Sequence, residues 1–126
     1  MLEIKPIQEK SAQRELCGLC GSEYKENYFA YGASVDGTPV GICQFYIKCN
    51  YGHIFDLKNV VGVDDTEALF IMARGVLNFI DLAGAHEAFY DGDDSPLVRA
   101  VGFSEKDGKL YLDLGGFFAA PCKSKK

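Results

Sequence analysis

A long amphipathic segment constrains the fold of this chain more than any other feature of its 126 residues. From Asp64 to Ala83, apolar residues recur at every third or fourth position, which is the spacing of a helix with one buried face. That face is predicted to consist of Leu69, Met72, Ala73, Val76, Phe79, Ile80 and Ala83. Phe70 and Leu77 place further apolar surface on its flank, so we expect the helix to be covered on more than one side.

Shorter periodic segments precede this helix. "LEIKPI" alternates as a strand does, residues 8–24 have a helical pattern, and "YFAYGASV" and "VGICQFYIKC" flank the turn "DGTP" as a hairpin. "HIFDLKNVV" predicts a third strand after the turn "NYG". Its apolar residues Ile54, Leu57 and Val60 do not alternate regularly, which predicts a bulge or a register slip in this strand.

Beyond the long helix, the pattern returns to short elements. "HEAFY" predicts a strand, "SPLVRAV" a short helix with Pro96 in its first turn, "KDGK" a turn and "KLYLDL" a last strand. No internal repeat or linker interrupts this order. We therefore predict one domain of α+β class over residues 1–126, with a mixed sheet and with residues 115–126 as a C-terminal extension.

Charge and cysteine usage exclude several functional classes. The formal net charge of −5 opposes binding to nucleic acid or to anionic membranes, because both require clustered Lys and Arg. No apolar stretch approaches the roughly 20 residues that cross a bilayer. The start "MLEIKPIQEK" lacks the apolar middle of a secretory signal. We therefore expect a cytoplasmic protein whose five cysteines are reduced.

The order of these elements resembles the GNAT superfamily of acyl-CoA N-acyltransferases. "VDGTPVGICQF" looks like the second and third strands of that superfamily, and "VRAVGF" at residues 98–103 is similar to the end of the helix before its closing strands. The resemblance spans nearly the whole chain. It implies a central, mostly antiparallel twisted sheet flanked by helices, acetyl-CoA or another acyl-CoA as cofactor, and acyl transfer to nitrogen as the activity.

The cofactor signature of the superfamily is missing at its expected position. In that family, Q/R-x-x-G-x-G/A occupies the turn before the long helix, where glycines and bare N–H groups contact the pyrophosphate. With Gly84 as the end of the helix, this turn falls on Asp64, Asp65, Thr66, Glu67, Ala68 and Leu69. None of these residues is glycine or basic.

"DDTE" at this turn predicts a capping box instead. Asp64 is the expected N-cap, with its carboxylate accepting a hydrogen bond from the amide of Thr66 or Glu67, while Glu67 reaches back to the amide of Asp64. Such a cap occupies donors that a cofactor needs, and its carboxylates repel phosphate. We therefore predict that no cofactor is bound.

The proton donor of the superfamily is also missing. Many members carry a Tyr four residues before the Gly of their closing G-F, and Val98 stands at that position here. Tyr90 and His86, on the preceding strand, are the candidates that remain for a catalytic role. The simpler interpretation is one core or edge aromatic residue and one surface histidine.

Two other motifs have structural interpretations. "CGLC", with Cys17 and Cys20, has thiol-redox spacing, but redox motifs place the first cysteine at a helix start and about two helical turns precede it here. "YDGDDSP" is interpreted as a solvated turn in which Asp94 or Ser95 caps the next helix, rather than as a calcium or magnesium loop. We predict no metal site.

The end of the chain carries two adjacent aromatic residues. Phe117 and Phe118 either fold back over the sheet or contact another chain, so that a homo-oligomer through them is one alternative. The basic run "KSKK" at residues 123–126 is interpreted as a solvated tail.

Three functional hypotheses follow. The first is a GNAT-like domain that has lost acetyl-CoA chemistry and acts as a binding or interaction module for an unknown small molecule or protein. The second is an active N-acyltransferase that holds its acyl-CoA through the strand backbone of Val60, Val61 and Val63, without the usual phosphate turn. The third is a thiol redox protein that uses Cys17 and Cys20.

Overall fold

A computed structural model describes residues 1–116 as a seven-stranded sheet with three helices. The elements are β1 (Leu2–Pro6), α1 (Lys10–Cys20), β2 (Phe29–Val35), β3 (Thr38–Lys48), β4 (Tyr51–Asn59), α2 (Thr66–Leu82), β5 (Glu87–Tyr90), α3 (Pro96–Val101), β6 (Ser104–Lys106) and β7 (Lys109–Asp113). The predicted α+β class is confirmed. The sequence pattern does not predict β6, because its three residues are all exposed and show no apolar alternation.

The strand order is β1-β2-β3-β4-β5-β7-β6, and β4 with β5 is the parallel pair in an otherwise antiparallel sheet. This pair is short, because Gly52–Ile54 of β4 lie opposite Ala88–Tyr90 of β5. The amide of Asp91 then donates to the carbonyl of Ile54 at 2.8 Å. Further along, residues 55–59 of β4 have no β5 partner within the described chain.

The irregularity predicted for β4 is a bulge. Gln44 of β3 lies opposite Asp56, whereas Phe45 lies opposite Ile54, so Phe55 is the extra residue. Because this insertion shifts the alternation by one position, Ile54 and Leu57 both contribute to the same core cluster. The prediction of a bulge or slip in this strand is confirmed.

Apolar side chains pack on both faces of the sheet. α2 contributes to the larger cluster through Ala68, Leu69, Met72, Ala73, Val76, Leu77 and Ile80. α1 contributes Cys17 and Cys20 to a smaller cluster with Ala30 and Ile42. The neighbours Ile42 and Cys43 enter different clusters, as the two-residue period of a strand requires.

The buried face of α2 differs from the prediction at three of the assigned positions, one of which is Ala83, an exposed residue that follows the last helical residue Leu82. Leu77, assigned to the flank, is fully buried, whereas Phe79, assigned to the core face, is 36% exposed. Phe79 lies at the margin of the sheet, with its ring 5.8 Å from that of Phe29. α2 also packs closely on the sheet, since an added Cβ on Gly52 would lie 2.5 Å from Ile80.

A buried polar network attaches residues 21–28, which follow α1, to the bulged region of the sheet. The side chain of Gln44, which is fully buried, accepts from the amide of Lys25 at 3.0 Å and donates to the carbonyl of Glu23 at 2.8 Å. It also accepts from Gln13 at 2.9 Å and donates to Asp56 at 2.9 Å. This segment is therefore held by the core and not only by surface contacts.

Other predictions concern the chain end and membranes. Phe117 and Phe118, together with the rest of the predicted extension beyond residue 116, lie outside the described residues. Within residues 1–116, none of the helices has the length and apolar character that crossing a bilayer requires.

Candidate functional site

The turn between β4 and α2 is closed by its own hydrogen bonds. The N-cap of α2 is Asp65, whose carboxylate accepts from the amide of Ala68 at 3.0 Å. The prediction of Asp64 as the N-cap is therefore wrong by one residue, and no bond from the Glu67 side chain to the Asp64 amide is present among the described residues. The helix starts one residue later because the Asn59 side chain accepts from the amide of Asp65 at 3.1 Å.

Asn59 links three elements at this turn. Its amide nitrogen donates to the carbonyl of Val40 in β3 at 2.9 Å and to the carbonyl of Asp65 at 3.3 Å. Its amide oxygen holds the Asp65 amide, as described above. The end of β4 and the start of α2 are therefore fixed to each other by one side chain.

The residues predicted to offer their backbone to an acyl-CoA use their amides internally. Val60 donates to the carbonyl of Val40 at 2.9 Å, Val61 donates to that of Leu19 at 2.9 Å, and Val63 donates to that of Val60 at 2.8 Å. These bonds tie the turn to β3 and to α1. A cofactor would have to break them before it could use the same donors.

What remains open at this turn is negatively charged. Asp64 and Glu67 are exposed on either side of the N-cap Asp65. A groove of about 400 Å³ runs from Thr66 and Glu67 between α2 and α3, and its other lining residues are Phe70, Pro96, Leu97 and Ala100. No Lys or Arg is among these lining residues. Among residues 1–116, the groove therefore has no lining cation of the kind that often helps to bind phosphate.

A second cavity lies beside the end of β5, between the loop that follows it, α3 and the β6–β7 hairpin. It has a volume of about 540 Å³, and we call it the acidic cleft. Its lining residues are His53, Phe89, Tyr90, Asp91, Gly92, Asp93, Asp94, Arg99, Glu105, Gly108, Lys109 and Leu110. Four of them are acidic and two are basic, so the cleft has a net negative charge.

One of the two basic residues is neutralised within the cleft. Arg99 donates from Nε to Asp94 at 2.8 Å and from Nη2 to the same carboxylate at 2.6 Å. The hydrogen bond from Arg99 lowers the pKa of Asp94. Of the two predicted caps of α3, Ser95 is the one that acts, and it accepts from the amide of Val98 at 3.2 Å. Within the described part of the chain, Arg99 forms this bidentate pair with Asp94 and not with Asp91, Asp93 or Glu105.

His53, which the sequence analysis did not single out, is held on three sides in this cleft. Its ring stacks on Tyr46 with centroids 4.6 Å apart and an interplanar angle of 1°, and its other neighbour Phe89 is at 5.4 Å. Its Nδ1 is 3.2 Å from Oδ1 of Asp91. Oδ2 of the same carboxylate accepts from the hydroxyl of Tyr46 at 2.9 Å.

The two predicted catalytic candidates do not share a site. Tyr90 lines the acidic cleft, where burial, followed by nearby Cys43 and Asp56, raises its pKa to about 12, so its hydroxyl keeps its proton. His86 precedes β5 at the other end of the strand, with Nδ1 2.6 Å from Asp81. Four residue steps along a strand separate the two by about 13 Å. Tyr90 therefore lines the same cavity as His53, and His86 does not.

The cysteines of "CGLC" are buried in the second half of α1. Burial is the main cause that raises the pKa of Cys17 and of Cys20 to about 11, so both are protonated thiols at neutral pH. The thiol redox hypothesis therefore lacks its reactive thiolate. Within residues 1–116, no group of three or more His, Cys, Asp and Glu side chains is arranged to hold a metal ion.

Solved structures share this architecture. An IAA acetyltransferase from Bacillus cereus superposes with a TM-score of 0.72 and 16% identity over 90% of this chain and 100% of that one. A GNAT family acetyltransferase from Brucella melitensis, in complex with acetyl-CoA, superposes with a TM-score of 0.68 and 16% identity over 91% of this chain and 89% of that one. A dodecameric spermidine N-acetyltransferase from Vibrio cholerae superposes with a TM-score of 0.70 and 10% identity over 94% of this chain and 96% of that one.

These likenesses define the class of the fold. The chain has the fold of the GNAT acetyltransferases, and the resemblance stated from its sequence is confirmed at that level. No family model matches the sequence, and no curated protein matches it either.

Proposed function

We propose that this protein is a GNAT-fold binding module that has lost acetyl-CoA chemistry, and that it holds a cationic amine in the acidic cleft. The support for the first part is the closed turn between β4 and α2. Its amides at Val60, Val61 and Val63 have internal acceptors, and its N-cap carboxylate occupies a further donor. A pyrophosphate that used these same donors would have to displace these bonds next to the charges of Asp64 and Glu67.

The support for the amine is the chemistry of the acidic cleft. Ammonium groups are bound by carboxylates through charge-assisted hydrogen bonds and by the faces of aromatic rings. The cleft offers both, because the carboxylates of Asp91, Asp93 and Glu105 and the rings of Phe89 and Tyr90 are among its lining residues. The structural neighbour from Vibrio cholerae is named for the polyamine spermidine, which belongs to this chemical class.

The second candidate function is an acyl-CoA-dependent N-acyltransferase with an atypical phosphate turn. It is favoured by the early end of the parallel pairing, because β4 continues through residues 55–59 without a β5 partner in the described chain. Tyr90, at the last paired position, carries a protonated hydroxyl that could donate its proton to a leaving group. This function requires that the cofactor bind without the amides of Val60, Val61 and Val63.

Thermal melting separates the two functions. A ligand at ten times its Kd stabilises the folded state by about 1.4 kcal/mol, which raises the midpoint by about 5 °C in a domain of this size. We expect no shift with acetyl-CoA up to millimolar concentration and a saturable shift with spermidine. A saturable upward shift with acetyl-CoA would favour the acyltransferase.

A charge variant makes this test sharper. Asp64→Asn with Glu67→Gln removes two charges but leaves the N-cap Asp65 and the bonds of Asn59 in place. We expect this variant also to give no shift with acetyl-CoA, because the internal hydrogen bonds are kept. A shift in the variant alone would show that charge, and not the closed backbone, keeps the cofactor out.

A further inference from the structure

We infer that His53 is a proton gate for the acidic cleft: a cationic ligand binds while His53 is neutral and is released when His53 takes up a proton. This inference rests on the proposed function, because it takes the ligand to be a cationic amine. It concerns the control of binding and not the identity of the amine.

The geometry fixes which nitrogen of His53 is available. A carboxylate only accepts hydrogen bonds, so the contact of Nδ1 with Asp91 at 3.2 Å places the proton of the neutral ring on Nδ1. The flat stack on Tyr46 and the contact with Phe89 hold the ring in place. Nε2 then keeps its lone pair, and His53 lines the cleft. An ammonium N–H that reaches Nε2 can donate to it.

Protonation reverses each of these contributions. Both ring nitrogens become donors, so Nε2 no longer accepts from the ligand. The ring gains a positive charge that repels an ammonium group, and the same charge neutralises Asp91, to which the ring is hydrogen-bonded. One proton therefore removes an acceptor, adds a repulsion and cancels a carboxylate.

The other groups that face His53 are of types that keep their charge between pH 5.5 and 7.5. Burial, with the hydrogen bond to Asp91 as the next cause, raises the pKa of Tyr46 to about 12, so it stays neutral. Around the cleft stand Asp93, Glu105 and Lys109, together with the Asp94–Arg99 ion pair. Side chains of these types ordinarily titrate outside this window, whereas histidine titrates within it.

The test is calorimetric titration with spermidine at pH 5.5, 6.5 and 7.5 and constant ionic strength. Affinity should fall by about tenfold for each pH unit below the midpoint of the His53 titration. We expect the Kd of the unmodified protein to be at least fivefold higher at pH 5.5 than at 7.5. His53→Gln cannot take up a proton, so its Kd for spermidine should change less than twofold between pH 5.5 and pH 7.5. His86→Gln, at the far end of β5, is the matched control and should keep the full dependence.

Each outcome decides a defined point. If the unmodified protein binds spermidine with the same Kd at all three values of pH, the gate is overturned and the proposed ligand class stands. The same conclusion follows if His53→Gln keeps the pH dependence of the unmodified protein. Absence of spermidine binding at every pH would overturn both. An NMR titration of His53 in the unmodified protein avoids any folding defect of the variant. Saturating spermidine should lower the pH midpoint of this His53 titration. A midpoint that spermidine leaves unchanged would overturn the gate.

Discussion

Replacement of Gln44 by leucine should cost this domain about 4 kcal/mol of unfolding free energy. Leucine has nearly the volume of glutamine, so the change removes hydrogen bonds without opening a large cavity. The amide of Lys25 and the carbonyl of Glu23 lose the partners that Gln44 provides at 3.0 and 2.8 Å. Each partly buried group left without a partner costs about 1–3 kcal/mol. Gln13 and Asp56 retain other hydrogen bonds and add less.

Urea unfolding measures this loss directly. With a slope of about 2 kcal/mol per molar urea for a domain of this size, the midpoint should fall by about 2 M. Gln8→Leu is the matched control, since Gln8 is exposed and takes no part in the hydrogen bonds of Gln44; it should change stability by less than about 0.5 kcal/mol. A loss below about 1 kcal/mol for Gln44→Leu, or an equal loss in the control, would refute the reasoning.

The remaining predictions concern buried thiols and close packing. The pKa of Cys17 and of Cys20 is raised to about 11 in the folded state, so the stabilisation is complete below the ordinary value of 9.0 and is lost as pH rises towards 11. The urea midpoint should therefore fall between pH 8 and pH 10.5, and it should fall less in Cys17→Ala with Cys20→Ala. Gly52→Ala should cost about 1–3 kcal/mol because of Ile80, whereas Gly18→Ala, with nothing within 4 Å, should gain about 0.5–1 kcal/mol. Equal changes in the free energy of unfolding for Gly52→Ala and Gly18→Ala, measured by urea unfolding, would contradict the close packing of α2 on the sheet.

The sequence predicts those parts of the fold that depend on local periodicity. The apolar pattern of α2 is long enough to identify the helix, and the broken alternation at Ile54 and Leu57 indicates the bulge. The error at its first residue has a tertiary cause. Asp64 and Asp65 are equivalent as caps by local rules, and the side chain of Asn59, six residues before the cap, decides between them.

The acidic cleft was beyond the reach of the same reasoning. His53 stands in a strand whose pattern gives it no special role, and the sequence around Asp91 indicates only an acidic turn. They meet because β4 and β5 pair in parallel, with His53 opposite Phe89. The long helix and the whole length of the chain between residues 59 and 87 separate those strands, so no short-range signal reports the pairing.

The short parallel pair between β4 and β5 has a mechanical consequence. It joins four strands on one side to three on the other through Gly52, His53 and Ile54 of β4, while every other junction is antiparallel. Two of the three positions have close side-chain neighbours, since Ile80 packs against Gly52 and Asp91 is hydrogen-bonded to His53. Any displacement of β4 at this pair would therefore reach both Ile80 of α2 and Asp91, the carboxylate that faces His53.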